Sequence, residues 1–522
     1  QGVELASGGK QKIFEEQFLI YRGLTRPSKG LWLTYAANDA EGRELSPSSL
    51  IERLQRLDED LQIEPMPAFD LEETAPAAVF HLLGGEMRKA TAEAPLSPLW
   101  QDIYGFFDEN SHWQKRLSLL KQGIGKTAKP ERLSPKTAKT LYGKNIFSSV
   151  SRLERFAGCP FSFFAEYGLK AEERRLYQLN TPDLGSLFHE VLELFSNKLE
   201  QDSLPWTSLT KEETTARIHA AVEDAAPRLG NRILLDSAAN QYLIRRLKRI
   251  STRAAWTLVQ HLQQGDFIPA GYEVGFGAHE ALPPIVIRLQ DGGSLILNGK
   301  IDRVDLLDAN GTRYVKIIDY KSGNKTFHFQ DIYYGLQLQL LVYLDAYLKY
   351  YKKTGASFKP GGVFYFRITD PTLALDEELS AEAIEKILYE KMRMSGLLLQ
   401  EDVLIHGLDH SLAESRSSAI VPVGYTKKGD PTAASNLATE EQYAAILDFV
   451  ATRTQEIGDA MKAGIITPAP YRDGQRTPCA YCSYRSLCRH SYAEAPKWRK
   501  LKKIDKADFW ETITPKQPPE TE

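Results

Sequence analysis

Two carboxylates and a lysine recur at close spacing in NGKIDRVDLLDANGTRYVKIIDYKSG, the segment from Asn298 to Gly323. Asn310-Gly311 at its middle is the pair that a two-residue type I′ hairpin prefers, because both residues accept positive φ. A regular turn there sets Val304 opposite Ile317, Leu306 opposite Val315 and Asp302 opposite Asp319. Directly opposed side chains have Cβ atoms roughly 5 Å apart, and two acids at that range repel unless a cation lies between them. The remainder of their face is apolar and screens poorly. Hard oxygen ligands suit Mg²⁺ or Mn²⁺, so a divalent cation is expected at Asp302 and Asp319. Such an ion lowers the pKa of a bound water. Lys321 shares the face of Asp319, two residues on, where it would orient or polarise that water. Lys300 registers with Lys321 and is a further candidate, and on the other face Asp305 pairs with Lys316.

Sulfur provides the second chemical signal. Cys479, Cys482 and Cys488 lie together in PCAYCSYRSLC, and Cys159 is the only other cysteine of the chain. So few cysteines in a chain this long argue against a disulfide framework and for metal binding or catalysis. Four thiolates admit a tetrahedral Zn²⁺ or an iron-sulfur cluster. Their division into three and one, instead of two Cys-x2-Cys knuckles, favours iron-sulfur. Either group would pin the two ends of a long domain around the hairpin.

Other residues fall on elements that could bring them to the acids. LGSLFHEVLELF is helical, with His189 and Glu193 four apart on one face. GLQLQLLVYLDAYLKYY is helical as well and places Gln339 and Tyr343 four apart. Glu273, in FIPAGYEVGFG, is either a site acid or an exposed strand residue. Ser149 or Ser151 is placed to cap a helix running toward Cys159. The composition, 42% hydrophobic and 25% charged, is that of a folded protein, and no apolar stretch reaches the ~20 residues of a membrane span. With 65 basic against 68 acidic residues there is no global pull toward nucleic acid, so such binding must rest on local patches. RRLKRISTR (Arg245 to Arg253) and KWRKLKKIDK (Lys497 to Lys506) are the two candidates. GIGKT (Gly123 to Thr127) mimics a phosphate loop, but Leu120 stands where that loop needs glycine and an amphipathic helix leads into it. The opening QGVELASGGKQK has no initiator Met and no apolar signal core, so a start inside a longer, non-secreted protein is expected. Three regions are expected: 1–60, a mostly helical connector at 61–140, and 141–522.

Asp302 followed by Asp319-x-Lys321 on adjacent strands resembles the PD-(D/E)XK nucleases, in which the metal also offsets charge on a phosphodiester. That resemblance implies an α/β, restriction-endonuclease-like core: a mixed sheet flanked by helices. Gly-x-x-x-His at His189 and Gln-x-x-x-Tyr at Gln339 and Tyr343 resemble motifs of the RecB-like branch, where the His helps hold the metal. Glu273 matches an acid that often precedes the first catalytic Asp there. Lys300 would meet a phosphate oxygen. EEQFLIYRGLTRPSKGLWLTY resembles the last motif of superfamily 1 helicases, with Arg26 at the nucleotide-contacting position, although Pro27 follows it and no Walker A lysine accompanies it. Together with SRLERFAGCPFSFFAEYGL and PCAYCSYRSLC, this order of motifs resembles the C-terminal half of the AddB subunits of AddAB-type helicase-nucleases. The resemblance implies a [4Fe-4S] cluster on Cys159, Cys479, Cys482 and Cys488, a partner AddA subunit, DNA ends as substrate, exonucleolytic cutting of one unwound strand during recombinational repair, and a bacterial cytoplasmic setting. The alternative is a catalytically inactive scaffold that binds DNA and its partner.

Overall fold

The computed structural model describes residues 8–38, 44–58, 60–64, 74–90, 95–124, 132–172, 181–228, 238–373, 379–488 and 498–514. The chain divides into two compact units, Gln1–Thr127 and Ala128–Glu522, so the boundary expected at residue 140 falls inside the second.

The first unit holds helices α1 (Gly8–Thr25), α2 (Ser49–Leu57), α3 (Pro76–Lys89), α4 (Pro98–Glu109) and α5 (Ser111–Ile124). Helix α1 stops just short of Pro27, as expected where a proline ring crowds the preceding residue out of helical backbone. Helices α3 and α4 each begin on a proline, whose missing N–H is no loss at that position. Val79, Leu83, Phe107, Trp113 and Leu117 form a small core, with Phe107 edge-on to Trp113 at 5.1 Å. LWLTY, at the end of the stretch that resembles the helicase motif, forms no strand. Residues 31–35 carry no regular structure, because no second strand lies beside them among the described residues to take up their backbone groups. Gly123 lies in α5, which fits no phosphate loop, and residues 125–127 lie outside the described residues.

The second unit begins with α6 (Pro135–Tyr142), β1 (Asn145–Ser148), α7 (Val150–Gly158), α8 (Pro160–Phe163), α9 (Thr181–Gln201), α10 (Lys211–Ala225) and α11 (Ala238–Gln263). Strands β2 (Ile268–Phe276), β3 (Ile285–Arg288), β4 (Ser294–Leu297), β5 (Gly299–Ala309) and β6 (Thr312–Lys321) follow. The chain continues through α12 (Phe329–Tyr333), α13 (Gln339–Lys353), β7 (Phe358–Arg367), α14 (Ala381–Lys391), β8 (Ser395–Leu399), α15 (Asp402–Leu408), β9 (Leu437–Ala438) and α16 (Glu440–Lys462). It ends with β10 (Tyr471–Arg472), α17 (Arg485–Cys488), β11 (Arg499–Lys500) and α18 (Lys506–Ile513).

Six strands form the main sheet in the order β2-β5-β6-β7-β8-β9, with β6–β7 and β8–β9 parallel and the other neighbours antiparallel. Its middle strands are covered on both faces, so β6 reads as a nearly unbroken buried run. The hairpin turns at Asn310 (φ 52°) and Gly311 (φ 74°), and the expected pairs Val304–Ile317, Asp305–Lys316 and Leu306–Val315 all form. That ladder stops at Arg303–Ile318, one step short of Asp302 and Asp319. Ser149 caps α7 by accepting from the Arg152 N–H at 3.4 Å, and Cys159 sits between α7 and Pro160, the first residue of α8. The C-terminal basic run docks on protein: Tyr334 Oη bonds both the N–H and the carbonyl of Lys502, and Lys506 Nζ reaches the Ser435 carbonyl. Phe509 and Trp510 of α18 are buried beside Phe329.

Candidate active site

Strand β5 brings Asp302 into the middle of an acidic row. On its β2 side, Glu273 lies between the registered pairs Tyr272–Arg303 and Val274–Ile301, which puts it across from Asp302. On its β6 side lies Asp319. Helix α9 adds His189, whose Nδ1 is 3.4 Å from Asp302 Oδ2. His189, Glu273 and Asp302 each offer a ligand atom, all within 4.8 Å of one another. Asp302 Oδ2 also accepts from the backbone N–H of Tyr320 at 2.6 Å, so the carboxylate occupies the place the ladder would have taken next. Glu273 has φ 47°, a left-handed backbone uncommon for a residue with a side chain.

The electrostatics of the row are those of crowded acids. Burial, then the charges of Asp302 and Glu193, push the Glu273 carboxyl up to about 7, with His189 and Lys300 opposing. Burial and Asp302 push Asp319 up to about 6 against Lys321 and Lys325. Asp319 forms an ion pair with Lys321 and stands outside the close set of three ligand atoms. Burial disfavours the charged Lys321, but Asp319 and Asp302 outweigh it and hold the ammonium above its ordinary range. Burial likewise works against a charged His189, yet the hydrogen bond and charge of Asp302 raise its pKa overall.

Helix α13 covers the row. Tyr343 is buried, and its hydroxyl bonds Gln339 one turn earlier; burial together with the charges of Asp319 and Asp302 keeps it protonated. A Cβ at Gly299 would come within 2.1 Å of Tyr343 Oη, so only glycine lets β5 and the tyrosine approach this closely. Sequence reasoning missed Glu154 of α7. Its Oε1 accepts from the Leu338 and Gln339 N–H groups at 2.8 and 3.1 Å, capping α13, while Oε2 meets Lys325 at 3.2 Å. The signal was there: Glu154 interrupts an apolar helical stripe between Val150 and Ala157. Lys300 departs from expectation. It is exposed, opposite Gly275 on β2 and not Lys321, because the β5–β6 ladder has already ended.

The opposite face holds more than the single ion pair expected there. Asp305 receives Arg303 through two bonds of 2.6 and 3.0 Å and Lys316 at 2.9 Å, all three buried. Burial opposes the ionised Asp305, but Arg303 and Lys316 hold its carboxyl below the usual range.

The four cysteines, remote in sequence, line one pocket together with Phe161, Pro470 and Arg485. Cys159 is buried and the other three are half-buried. Burial pushes the thiols of Cys159 and Cys479 up. Among the described residues, no three of these sulfurs lie all within 4.8 Å of one another.

Residues 148–489, which hold the acidic row, its covering helix and all four cysteines, match the model of the PD-(D/E)XK nuclease superfamily. The chain belongs to the PD-(D/E)XK superfamily. Its restriction-endonuclease-like core is the mixed sheet with flanking helices described above. Residues 74–123, which span α3 to α5, match the fifth domain of the ATP-dependent helicase/deoxyribonuclease AddB. The chain is similar to proteins named as the B subunit of an ATP-dependent helicase/deoxyribonuclease. That of Alkaliphilus oremlandii is 38% identical over 98% of this chain and 45% of the relative. That of Alkaliphilus metalliredigens is 39% identical over 94% and 43%, and that of a Thermoanaerobacter species 35% identical over 98% and 45%. The chain thus spans less than half the length of these relatives. None of its described helices is long and apolar enough to cross a membrane.

Proposed function

We propose that this chain is the nuclease-bearing part of a helicase-nuclease subunit: a metal-dependent deoxyribonuclease that hydrolyses phosphodiester bonds of one unwound strand from a DNA end. The observation that carries this reading is the row Glu273, Asp302, Asp319 with Lys321 beside it and His189 against its centre. Buried acids at raised pKa are the environment a divalent cation relieves, and an imidazole with carboxylate oxygens fits Mg²⁺ or Mn²⁺. His189, Glu273 and Asp302 would hold the ion, with Asp319 completing the set. When bound, it would supply an activated water and offset phosphodiester charge. Lys321, fixed by Asp319, is the cation available to polarise the attacking water or neutralise the transition state. Tyr343 and Gln339 close the row from α13 and limit access of bulk water.

The sulfur pocket supports an iron-sulfur cluster over zinc. The support is the division of the cysteines into three and one, gathered in one pocket, where two Cys-x2-Cys knuckles would suit zinc better. The contribution of a [4Fe-4S] cluster there would be structural, joining α7 to the chain around α17. The relatives' printed names make each of them one subunit of an ATP-dependent helicase/deoxyribonuclease, which supports a role within such an assembly; work beside an AddA-type motor subunit, on DNA ends and in a bacterial cytoplasm, is part of the proposal.

The decisive experiment is cleavage of single-stranded DNA with Mg²⁺ and with EDTA. Asp319→Ala and Lys321→Ala are expected to lose at least about 10³-fold in rate with folding retained. Cutting by both at the wild-type rate would refute the assignment, and an inert wild type in the presence of its partner would make the chain a scaffold.

A further inference from the structure

A pocket between α10, α11 and α14 takes no part in the chemistry proposed above. Its rim is cationic. Arg245, Arg249 and Arg253 come from successive turns of α11, four residues apart, with Lys248 next to Arg249, and Lys211 joins them from the start of α10. Trp256 and Tyr389 supply its aromatic wall.

The charges do not cancel. Glu223 meets Lys248 at 2.5 Å, and Asp370 meets Arg249 at 2.8 Å and Arg253 at 3.2 Å. Glu385 serves both Lys211 at 3.6 Å and Arg253 at 3.7 Å. These five cations face three carboxylates, and Arg245 makes no ion pair among the described residues. A merely solvated helix face would have no use for an indole wall. Cations beside an aromatic surface match a phosphate ester carrying a planar base.

The pocket is tied to the catalytic end of the sheet. Arg367, the last residue of β7, registers with Lys321, and the Ile368 N–H donates to the Lys321 carbonyl at 2.9 Å. Asp370, which holds Arg249 and Arg253, comes three residues after Arg367, a reach of at most about 11 Å of chain.

We infer that this pocket is an anchoring site for a nucleotide unit of the strand being cut, with phosphate at Arg245 and Arg249 and base against Trp256. The identity of the strand rests on the nuclease reading; the pocket's chemistry does not. The test uses the intact chain, with EDTA present to stop cleavage, and a fluorescent oligodeoxythymidine read by anisotropy at salt from about 50 to 300 mM. Arg245→Ala/Arg249→Ala is expected to weaken binding at least about 10-fold and to flatten the plot of log affinity against log salt by about 1.4, two single-strand phosphate contacts. With Mg²⁺, the same variant should keep kcat and raise KM. Asp319→Ala should keep the affinity and lose cleavage. Should the wild type fail to cut while the double variant still loses binding, the nuclease reading falls and the anchoring site stands. Unchanged affinity and salt slope in the double variant overturn the inference. So does thymidine monophosphate binding that the double substitution abolishes while oligonucleotide binding persists, since that assigns the pocket to free nucleotides.

Discussion

Asp302 serves three neighbours at once: the Tyr320 N–H at 2.6 Å, His189 at 3.4 Å and, within the close ligand set, Glu273. Its charge helps raise the carboxyls on either side, Glu273 to about 7 and Asp319 to about 6. A cation needs both ionised, so affinity for Mn²⁺ and the cleavage rate should climb as pH rises from about 5.5 to 8; titration of Mn²⁺ by electron paramagnetic resonance at several pH values checks this. The stability effect has the opposite sign. A carboxyl whose folded pKa exceeds its unfolded value leaves the folded state holding more protons, so the metal-free protein loses stability as pH rises between the two values. Glu273→Gln should therefore raise the metal-free melting temperature at pH 8, an advantage that fades as pH falls through 7 toward 4.5, while weakening Mn²⁺ binding.

At the scale of elements, the row exists because β5 and α13 approach closely where Gly299 meets Tyr343. Gly299→Ala should push the tyrosine away, cost about 1–3 kcal/mol and slow cleavage, as read by denaturant unfolding and nuclease assay. Helix α13 in turn is oriented by Glu154, whose carboxylate takes two of its first N–H groups. Glu154→Ala should cost about 1–2 kcal/mol and loosen Gln339 and Tyr343 together. If the cysteine pocket holds an iron-sulfur cluster, Cys482→Ser should abolish a visible absorbance band near ~400 nm in anaerobically purified protein and lower the melting temperature.

The whole second unit turns on the buried Arg303–Asp305–Lys316 group behind the acidic row. His261 lies near it, held neutral because burial, Lys316 and Arg303 push its pKa down to about 3. Removing the one anion would leave two buried cations uncompensated. Asp305→Asn should cost about 3–5 kcal/mol, more than loss of any surface ion pair, and lower the melting temperature of the full chain even with metal present. The two sheet faces thus carry opposite solutions: salt bridges settle the charges on one, while the other keeps like charges together.

The hairpin, its register down to Arg303–Ile318 and the nearness of Asp302, Asp319 and Lys321 to one another were legible in the residues, because a two-residue Asn-Gly turn and a side-chain period of two leave few alternatives. So was the grouping of Cys159 with three cysteines far along the chain. Local pattern carries such information whenever one turn or one ligand type dictates it. It could not place Glu273 across from Asp302, since that depends on a third strand and a left-handed residue. Nor did it expose Glu154, the register of Lys300 with Gly275 or the arginine joined to Asp305. Each of these turns on which distant element lies within bonding distance of a charge, and only the folded chain sets those distances.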